Sequence, residues 1–269
     1  MKIVYNIIFF YNEERIKYLL KIINEIKKYK YETDIYIHKN IHFQLKKLVN
    51  YKNKLEIIVH DLSKINPFKL TYLGKLYMKK FIKNYDIFIY SEDDILIYND
   101  SLNYWLEYKD VCFEHKYNLG FLRIEYFDEK DIYLTDIASC FHEPKFIVLN
   151  NHTFLLNDKN PYSGCWIYDK KRMKDYIKSK YFNSVQLMNL KTNKKIEIRE
   201  SQAFGLHHLN NNYFNHTLIH VNETNETNET NEIKKLNKIN NHCFIHHMPN
   251  NYIKNTKSRY GKLKINEII

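Results

Sequence analysis

The sequence predicts an α/β fold with a mixed, mostly parallel sheet that is flanked by helices and gains antiparallel strands in the C-terminal half. Short apolar runs alternate with segments of helical periodicity through the first 100 residues, and this order builds a parallel sheet. One apolar run, IFIYSEDDILI at residues 87–97, carries three consecutive carboxylates at its centre. The chain has 269 residues, and 44% of them are hydrophobic, which is ample for a buried core.

The helices and strands of the first half are predicted from the spacing of apolar residues and from turn-forming residues. Residues 13–28 place apolar side chains at spacings of three and four, as in a helix that packs on a sheet. Asn66 and Pro67 mark the start of the helix that precedes the acidic run. The predicted strands are 2–10, 33–38, 55–60 and 85–97, and the predicted helices are 13–28, 43–50 and 70–83.

The second half is less regular. Residues 160–164, NPYSG, predict a turn-rich loop that forms one wall of a cleft. Residues 222–232 repeat Asn-Glu-Thr almost four times, and this low complexity predicts a surface loop that adds nothing to the core. The predicted elements are a helix at 101–112, strands at 120–126, 145–156 and 165–168, and a lysine-rich helix after the last strand.

Glu92, Asp93 and Asp94 are the most informative residues for function. A buried strand excludes unpaired carboxylates because their desolvation is costly, so acids at its end usually face a cation or a cleft. In open α/β sheets, ligands bind at the carboxyl ends of the strands. Adjacent carboxylates there form the oxygen-rich site that Mg²⁺ or Mn²⁺ prefers, and such a site suits a diphosphate ligand. The alternative is that the three acids only form a polar turn.

Composition narrows the class of protein. The formal net charge is +11, but the lysines are spread along the chain and no nucleic-acid-binding motif is present, so we expect no nucleic-acid partner. The four cysteines are far apart and form no CxxC pair, which predicts reduced thiols and a cytoplasmic location. The apolar N-terminal run lacks the features of a signal peptide, and no stretch is long enough to span a membrane. Any membrane association is therefore expected to be peripheral.

An ordered set of short motifs resembles the GT-A class of nucleotide-sugar glycosyltransferases. Glu92-Asp93-Asp94 matches the DxD motif of that class, with Glu in the first position. The set runs from about residue 66 to 252 and is similar to a little-characterised group from polysaccharide-building clusters and large DNA viruses. Its motifs are NPFKLTYLGK, DIFIYSEDDILI, GFLRIEY, NPYSGCWIYD, RESQAFGL and HHMPNNY.

The resemblance implies a single GT-A, Rossmann-like domain over residues 1–269. Residues 1–100 would form the nucleotide-binding half, and 101–269 the acceptor half with the low-complexity loop 222–232. Residues 1–61 match only the general strand and helix pattern of a nucleotide-binding half and contain no specific motif of the class. For a viral protein, the cytoplasmic location would be the host cytoplasm or a virus factory.

The resemblance also implies a ligand set for Mn²⁺ or Mg²⁺. We expect Asp94 to bind the metal directly, and Glu92 to reach it through water or to contact the ribose. A C-terminal histidine completes the metal shell in this class, and His247 is preferred over His246 for that role. Zinc is not favoured, because the histidines near Cys243 lack the regular spacing of a four-ligand site.

Further residues are expected to contact the donor or the acceptor. Inverting transfer needs a carboxylate that takes the proton of the acceptor hydroxyl, and Glu200 in RESQAFGL is the candidate, with Asp136 as an alternative. Arg123 and Glu125 lie on the same face of one strand and are expected to form a buried pair. The expected donor-binding residues are Asn12, Arg15, Lys75, Glu92, Asp93 and Arg199.

The sequence thus predicts a metal-dependent glycosyltransferase that moves a sugar from a nucleotide donor, expected to be a UDP-sugar, to a hydroxyl of a glycan or glycolipid. Two alternatives remain open. The same acids would serve a nucleotidyltransferase or a sugar-nucleotide hydrolase, and a catalytically silent glycan-binding protein would keep the fold without turnover. The oligomeric state is not predicted.

Overall fold

A computed structural model describes residues 1–42, 49–64, 66–128, 131–179, 182, 217–227 and 233–269, with the backbone alone at 223–227 and 233–237. These residues form two compact units. The first takes 1–99 and the described part of 162–211, and the second takes 100–161 and the described part of 212–269. The prediction of a single domain stays a prediction.

The first unit is built on a sheet whose core strand is buried on both faces. Strand β1 (Lys2–Phe9) is buried along almost its whole length, as a parallel strand covered by helices on both sides must be. The sheet order is β10-β4-β1-β2-β3, and only β10 runs antiparallel to its neighbour. The other strands of this unit are β2 (Glu32–Lys39), β3 (Leu55–Val59), β4 (Ile87–Glu92), β5 (Ile95–Ile97) and β10 (Cys165–Asp169).

Three helices lie within the described residues of the first unit: α1 (Ile16–Ile26), α2 (Leu70–Met78) and α4 (Lys170–Lys178). Helix α2 lies very close to the sheet at Gly74, where an added Cβ would collide with the side chain of Ile8 and approach the His38 ring. A residue without a side chain is therefore needed for this close packing. The predicted helix 70–83 ends earlier, because the chain continues from Met78 as a 3₁₀ turn.

The second unit contains helix α3 (Asn99–Glu114) and two groups of strands. Strand β6 (Leu122–Tyr126) pairs parallel with β13 (Phe244–His247) and antiparallel with β7 (Ile132–Leu134). A four-stranded antiparallel sheet has the order β12-β11-β9-β8. Its strands are β8 (Phe146–Leu149), β9 (His152–Asn157), β11 (Thr217–Thr227) and β12 (Ile233–Ile239), and a short helix, α5 (Asn251–Lys254), follows β13.

The mixed α/β architecture, with a mostly parallel sheet and antiparallel additions in the C-terminal half, is confirmed. The predicted strand 85–97 is divided, because a turn at Asp93 and Asp94 separates β4 from β5. The predicted helix 43–50 falls largely on residues outside the described ranges. None of the described helices is long and apolar enough to cross a membrane.

The prediction of a loop over the Asn-Glu-Thr repeat is wrong for residues 222–227. These residues belong to β11, which pairs antiparallel with the lysine-rich β12. The backbone register pairs residues 221–227 with residues 233–239. Backbone pairing needs no apolar side chains, so a segment that cannot build a core can still form a strand.

Candidate functional site

The three acids lie at the carboxyl edge of the first unit's sheet, beside the end of β1. The register pairs Ile8 with Glu92. The Asp93 N–H donates to the Ile8 carbonyl (3.1 Å), and the Glu92 N–H donates to the Gly164 carbonyl (3.0 Å). Gly164 has a φ of 70°, a conformation that glycine adopts without strain. The backbone of the acidic turn is thus fixed from two sides.

All three acidic side chains are buried, with exposures of 8% for Glu92, 5% for Asp93 and 7% for Asp94. Burial raises the pKa of Asp93 to about 7, the negative charge of Asp94 adds to this shift, and Arg15 opposes it. Three carboxylates this close and this dry require positive charge nearby.

Arg15 supplies one positive charge to this cluster. Its Nε donates to Asp93 Oδ2 at 2.7 Å, and its Nη2 donates to Asp93 Oδ1 and to Asp94 Oδ2, both at 2.6 Å. Burial alone would lower the pKa of Arg15, but the two aspartates together raise it, so the guanidinium stays charged. The side chain is 34% exposed, so one side of the guanidinium meets solvent.

The turn that follows β1 fixes the position of Arg15. Asn12 caps the turn after β1, because its Oδ1 accepts from the Glu14 N–H at 2.9 Å. The Arg15 N–H then donates to the Asn12 carbonyl at 3.1 Å, which closes the 3₁₀ turn that leads into α1. An asparagine at the end of a strand therefore sets the position of the arginine three residues later.

Tyr162 connects the predicted cleft loop to the acids. Its hydroxyl donates to Glu92 Oε1 at 3.2 Å, and its side chain is buried. Trp166, four residues further on, stacks on Tyr90 with parallel rings 5.3 Å apart and belongs to the core. Sequence reasoning did not find the Tyr162–Glu92 contact, because no local pattern links residues 70 positions apart.

A cavity of about 580 Å³ lies beside the acids within the first unit. Its volume falls in the range of small-molecule sites, and its wall is mostly apolar with a few polar groups. Asn12, Arg15, Glu92 and Asp93 contribute to that wall, so the structure brings together four of the predicted donor-binding residues. The other lining residues are Ile8, Phe10, Asn66, Pro67, Phe68, Leu70 and Thr71.

Lys75 has a different environment from the one expected of a phosphate ligand. Its side chain is 1% exposed, and its Nζ lies 5.2 to 5.4 Å from the ring centres of Tyr72, Tyr176 and Phe182. Burial lowers the pKa of Lys75 to about 7. Lys75 is not among the residues that line the cavity.

His247 belongs to the second unit and is held there by a buried carboxylate. Its Nδ1 lies 2.6 Å from Oε1 of Glu125. The same Oε1 accepts from the Tyr252 N–H (3.2 Å), and Oε2 accepts from the Ile253 N–H (2.9 Å). Burial alone would raise the pKa of Glu125, but His247 and these N–H groups together lower it. An ionised Glu125 selects the tautomer with the proton on Nδ1, which presents the Nε2 lone pair.

The expected pair of Arg123 and Glu125 is wrong. Arg123 instead donates to both carboxylate oxygens of Asp136, from Nη2 at 2.6 Å and from Nε at 2.7 Å. Glu125 is occupied by His247 and the backbone of α5. The alternative base, Asp136, is therefore the ion-pair partner of a buried arginine.

The remaining predicted residues cannot be placed. Glu200 and Arg199 lie outside the described residues. Among the residues that are described, no group of three or more His, Cys, Asp or Glu side chains has the arrangement of a metal centre.

No family model matches the chain, and a search of curated proteins found no significant match. Solved structures with a similar fold include residues 1–349 of TarS from S. aureus, with 14% identity over 82% of this chain and 57% of that one, at a TM-score of 0.41. A complex of the same protein with UDP-GlcNAc shares 15% identity over 65% of this chain and 47% of that one, at a TM-score of 0.36.

The apo form of the glycosyltransferase GlyE from Streptococcus pneumoniae TIGR4 shares 12% identity over 78% of this chain and 44% of that one, at a TM-score of 0.37. The chain thus spans less than two thirds of the length of these proteins. At such identities and TM-scores, the similarity does not assign a function.

Proposed function

We propose that this protein is a nucleotide-sugar glycosyltransferase of the GT-A class, and that the cavity beside Glu92, Asp93 and Asp94 is its donor site. The observation that carries this proposal is the burial of three adjacent carboxylates at the carboxyl edge of a mostly parallel sheet, where Glu92 and Asp93 line a cavity of about 580 Å³. The apolar part of the wall suits a nucleoside, and the charged groups suit its diphosphate.

The acids fit a divalent metal in charge and in chemistry. Three carboxylates and one guanidinium leave a formal charge of −2, which one Mn²⁺ or Mg²⁺ ion would balance, and carboxylate oxygens are the ligands that these ions prefer. Asp94 would bind the ion directly and Glu92 through water or the ribose. His247 would contribute Nε2, the nitrogen that Glu125 leaves unprotonated. When bound, the metal would offset the charge that develops on the departing nucleoside diphosphate.

Other residues of the chain would bind and orient the two substrates. Asn12 and Asp93 line the donor cavity. Arg199 is proposed as a phosphate contact because of the motif resemblance alone. Glu200 would take the proton from the acceptor hydroxyl as that oxygen attacks the anomeric carbon. We propose UDP as the nucleotide of the donor and a hydroxyl of a glycan or glycolipid as the acceptor.

The test is a thermal-shift titration of the purified protein with nucleoside diphosphates and nucleotide sugars, with and without Mn²⁺. Binding to the native state raises the apparent melting temperature, so we expect a stabilisation that needs both metal and nucleotide. Asp94→Asn should abolish this joint effect while leaving the melting temperature of the free protein close to wild type. Asp110→Asn is the matched control, since Asp110 is an exposed acid on α3.

The donor-site proposal fails if no nucleotide stabilises the wild-type protein in the presence of metal, or if Asp94→Asn responds as wild type does. Product analysis then separates the enzyme classes. A transferase releases UDP fastest with a saccharide acceptor and makes a longer glycan, whereas a hydrolase releases free sugar without an acceptor.

A further inference from the structure

Arg15 already binds a carboxylate oxygen of Asp94, the acid that a metal at this site is proposed to use. Its Nη2 donates to Asp94 Oδ2, the carboxylate that we assign to the metal, and the same guanidinium makes two bonds to Asp93. Charge-assisted bonds of 2.6 to 2.7 Å between a half-buried guanidinium and buried carboxylates are strong. A metal ion at Asp94 Oδ2 would compete with the guanidinium, because two cations at one oxygen repel each other.

The guanidinium is also well placed for a second ligand. Its three bonds to the aspartates use the Nε hydrogen and both Nη2 hydrogens, which leaves the two hydrogens of Nη1 for another acceptor. Arg15 lines the cavity and is partly exposed to solvent. Among the described residues of the cavity wall, it is the only cation.

We infer that Arg15 is an exchangeable counter-ion of the acidic turn. A divalent metal displaces it from Asp94, and the released guanidinium then binds the diphosphate of the donor. This inference rests on the proposed donor site and names the residue through which metal binding and donor binding are coupled.

The balance of charges explains why Arg15 would leave Asp94 only when a metal ion is bound. Without metal, Arg15 is the positive charge that stabilises Asp93 and Asp94, and its release from Asp94 would leave that buried carboxylate exposed to repulsion from its neighbour. With a divalent ion present, the acidic turn no longer needs the guanidinium at Asp94. Arg15 then supplies positive charge at the cavity, where a diphosphate can accept two of its N–H groups side by side. Metal binding should therefore increase the affinity for the nucleotide, and the nucleotide should increase the affinity for the metal.

A purely structural role for Arg15 predicts a different result. If Arg15 only held the aspartates in place, its removal would disorder the acidic turn and weaken both ligands. Exchange instead predicts effects of opposite sign: tighter metal binding when a competitor is removed, and weaker nucleotide binding when a phosphate ligand is removed.

The experiment measures Mn²⁺ binding to the full chain by isothermal titration calorimetry, without nucleotide. We expect Arg15→Ala and Arg15→Gln to bind Mn²⁺ roughly ten- to a hundredfold more tightly than wild type, since a competing charge-assisted hydrogen bond is lost. UDP is then titrated at saturating Mn²⁺, and both variants should bind it at least about tenfold more weakly. Arg15→Gln keeps a polar side chain of similar length, so it serves as the second variant if Arg15→Ala unfolds.

Lys17→Ala is the matched control, because it removes one positive charge from an exposed position on α1. It should change neither affinity by more than about twofold. Equal or weaker Mn²⁺ binding by both Arg15 variants would overturn the inference, as would unchanged UDP binding.

The two proposals fail in different ways. If wild type binds Mn²⁺ and UDP together but the Arg15 variants gain no affinity for Mn²⁺, the donor site stands and the exchange is wrong. If the variants gain affinity for Mn²⁺ but no protein binds any nucleotide, the counter-ion role at the metal site stands, while the donor site and the phosphate contact are wrong.

Discussion

Because Arg123 and Asp136 form a buried ion pair, we expect replacement of Asp136 alone to lower stability strongly, and replacement of both residues to lower it much less. Both side chains are largely buried, with exposures of 4% and 11%, and they share two hydrogen bonds of 2.6 and 2.7 Å. Thr135 completes the cluster, because its hydroxyl donates to Asp136 Oδ2 at 2.8 Å. Asp136→Ala leaves the Arg123 guanidinium buried without its carboxylate, so the free energy of unfolding should fall by about 3–5 kcal/mol.

Removing both charges should cost less. The double variant Arg123→Met/Asp136→Ala buries no unpaired charge, and apolar replacement of a buried pair is often close to neutral. We expect its free energy of unfolding to be about 1–2 kcal/mol below that of wild type, so the second substitution partly rescues Asp136→Ala. The assay is urea denaturation at pH 7, with the midpoint compared at constant m-value.

Asp110→Ala is the control for the loss of a carboxylate, since Asp110 is 67% exposed, and it should change stability by less than about 0.5 kcal/mol. The reasoning is refuted if Asp136→Ala stays within that margin, or if the double variant is no more stable than Asp136→Ala. Transfer activity in the double variant would also show that Asp136 is not the catalytic base.

Three further outcomes are expected. Tyr162→Phe removes the hydrogen bond to Glu92 and should lower the free energy of unfolding by about 1 kcal/mol in urea denaturation; an unchanged midpoint would contradict the contact. Burial, with the charge of His60, lowers the pKa of His38 from 6.5 to about 3. As the pH falls, the unfolded chain therefore takes up this proton before the folded chain does. The free energy of unfolding of wild type should fall by up to ~5 kcal/mol between pH 6.5 and pH 3. A pH titration of stability in His38→Gln should lack this component, and an equal slope in both proteins would refute it. Glu200→Gln should spare UDP binding in calorimetry but lower transfer at least about a hundredfold; an intact transfer rate would exclude Glu200 as the base.

The elements of the first unit were largely predictable because their signals are local. A buried parallel strand reads as a continuous apolar run, as in β1, and the apolar stripe of α1 repeats within a few residues. The position of the acids at a sheet edge follows from the same reading, since a turn of carboxylates cannot continue a buried strand. The division into β4 and β5 and the early end of α2 were missed.

Side-chain partners were much harder to predict. Arg15 and Asp93 are 78 positions apart, and only the parallel register of β1 and β4 brings their elements together. Arg123 and Glu125 share a face of β6, but Asp136 offers the guanidinium two oxygens, and a same-face rule cannot anticipate a residue beyond the strand. Composition likewise says nothing of pairing, so the Asn-Glu-Thr repeat did not reveal that β12 would pair with it.

The sequence predicted that Arg15 and Lys75, both in the first unit, contact the donor, and their environments now distinguish them. Lys75 is buried among three aromatic rings, and its lowered pKa of about 7 weakens its value as a permanent positive charge. Arg15 stays protonated, lines the cavity, and has a planar group that matches a diphosphate in shape. A phosphate ligand must keep its charge and reach the substrate, and Arg15 meets both conditions in the described structure. The donor diphosphate is therefore expected to depend on Arg15, while Lys75 contributes to the packing of α2 against α4.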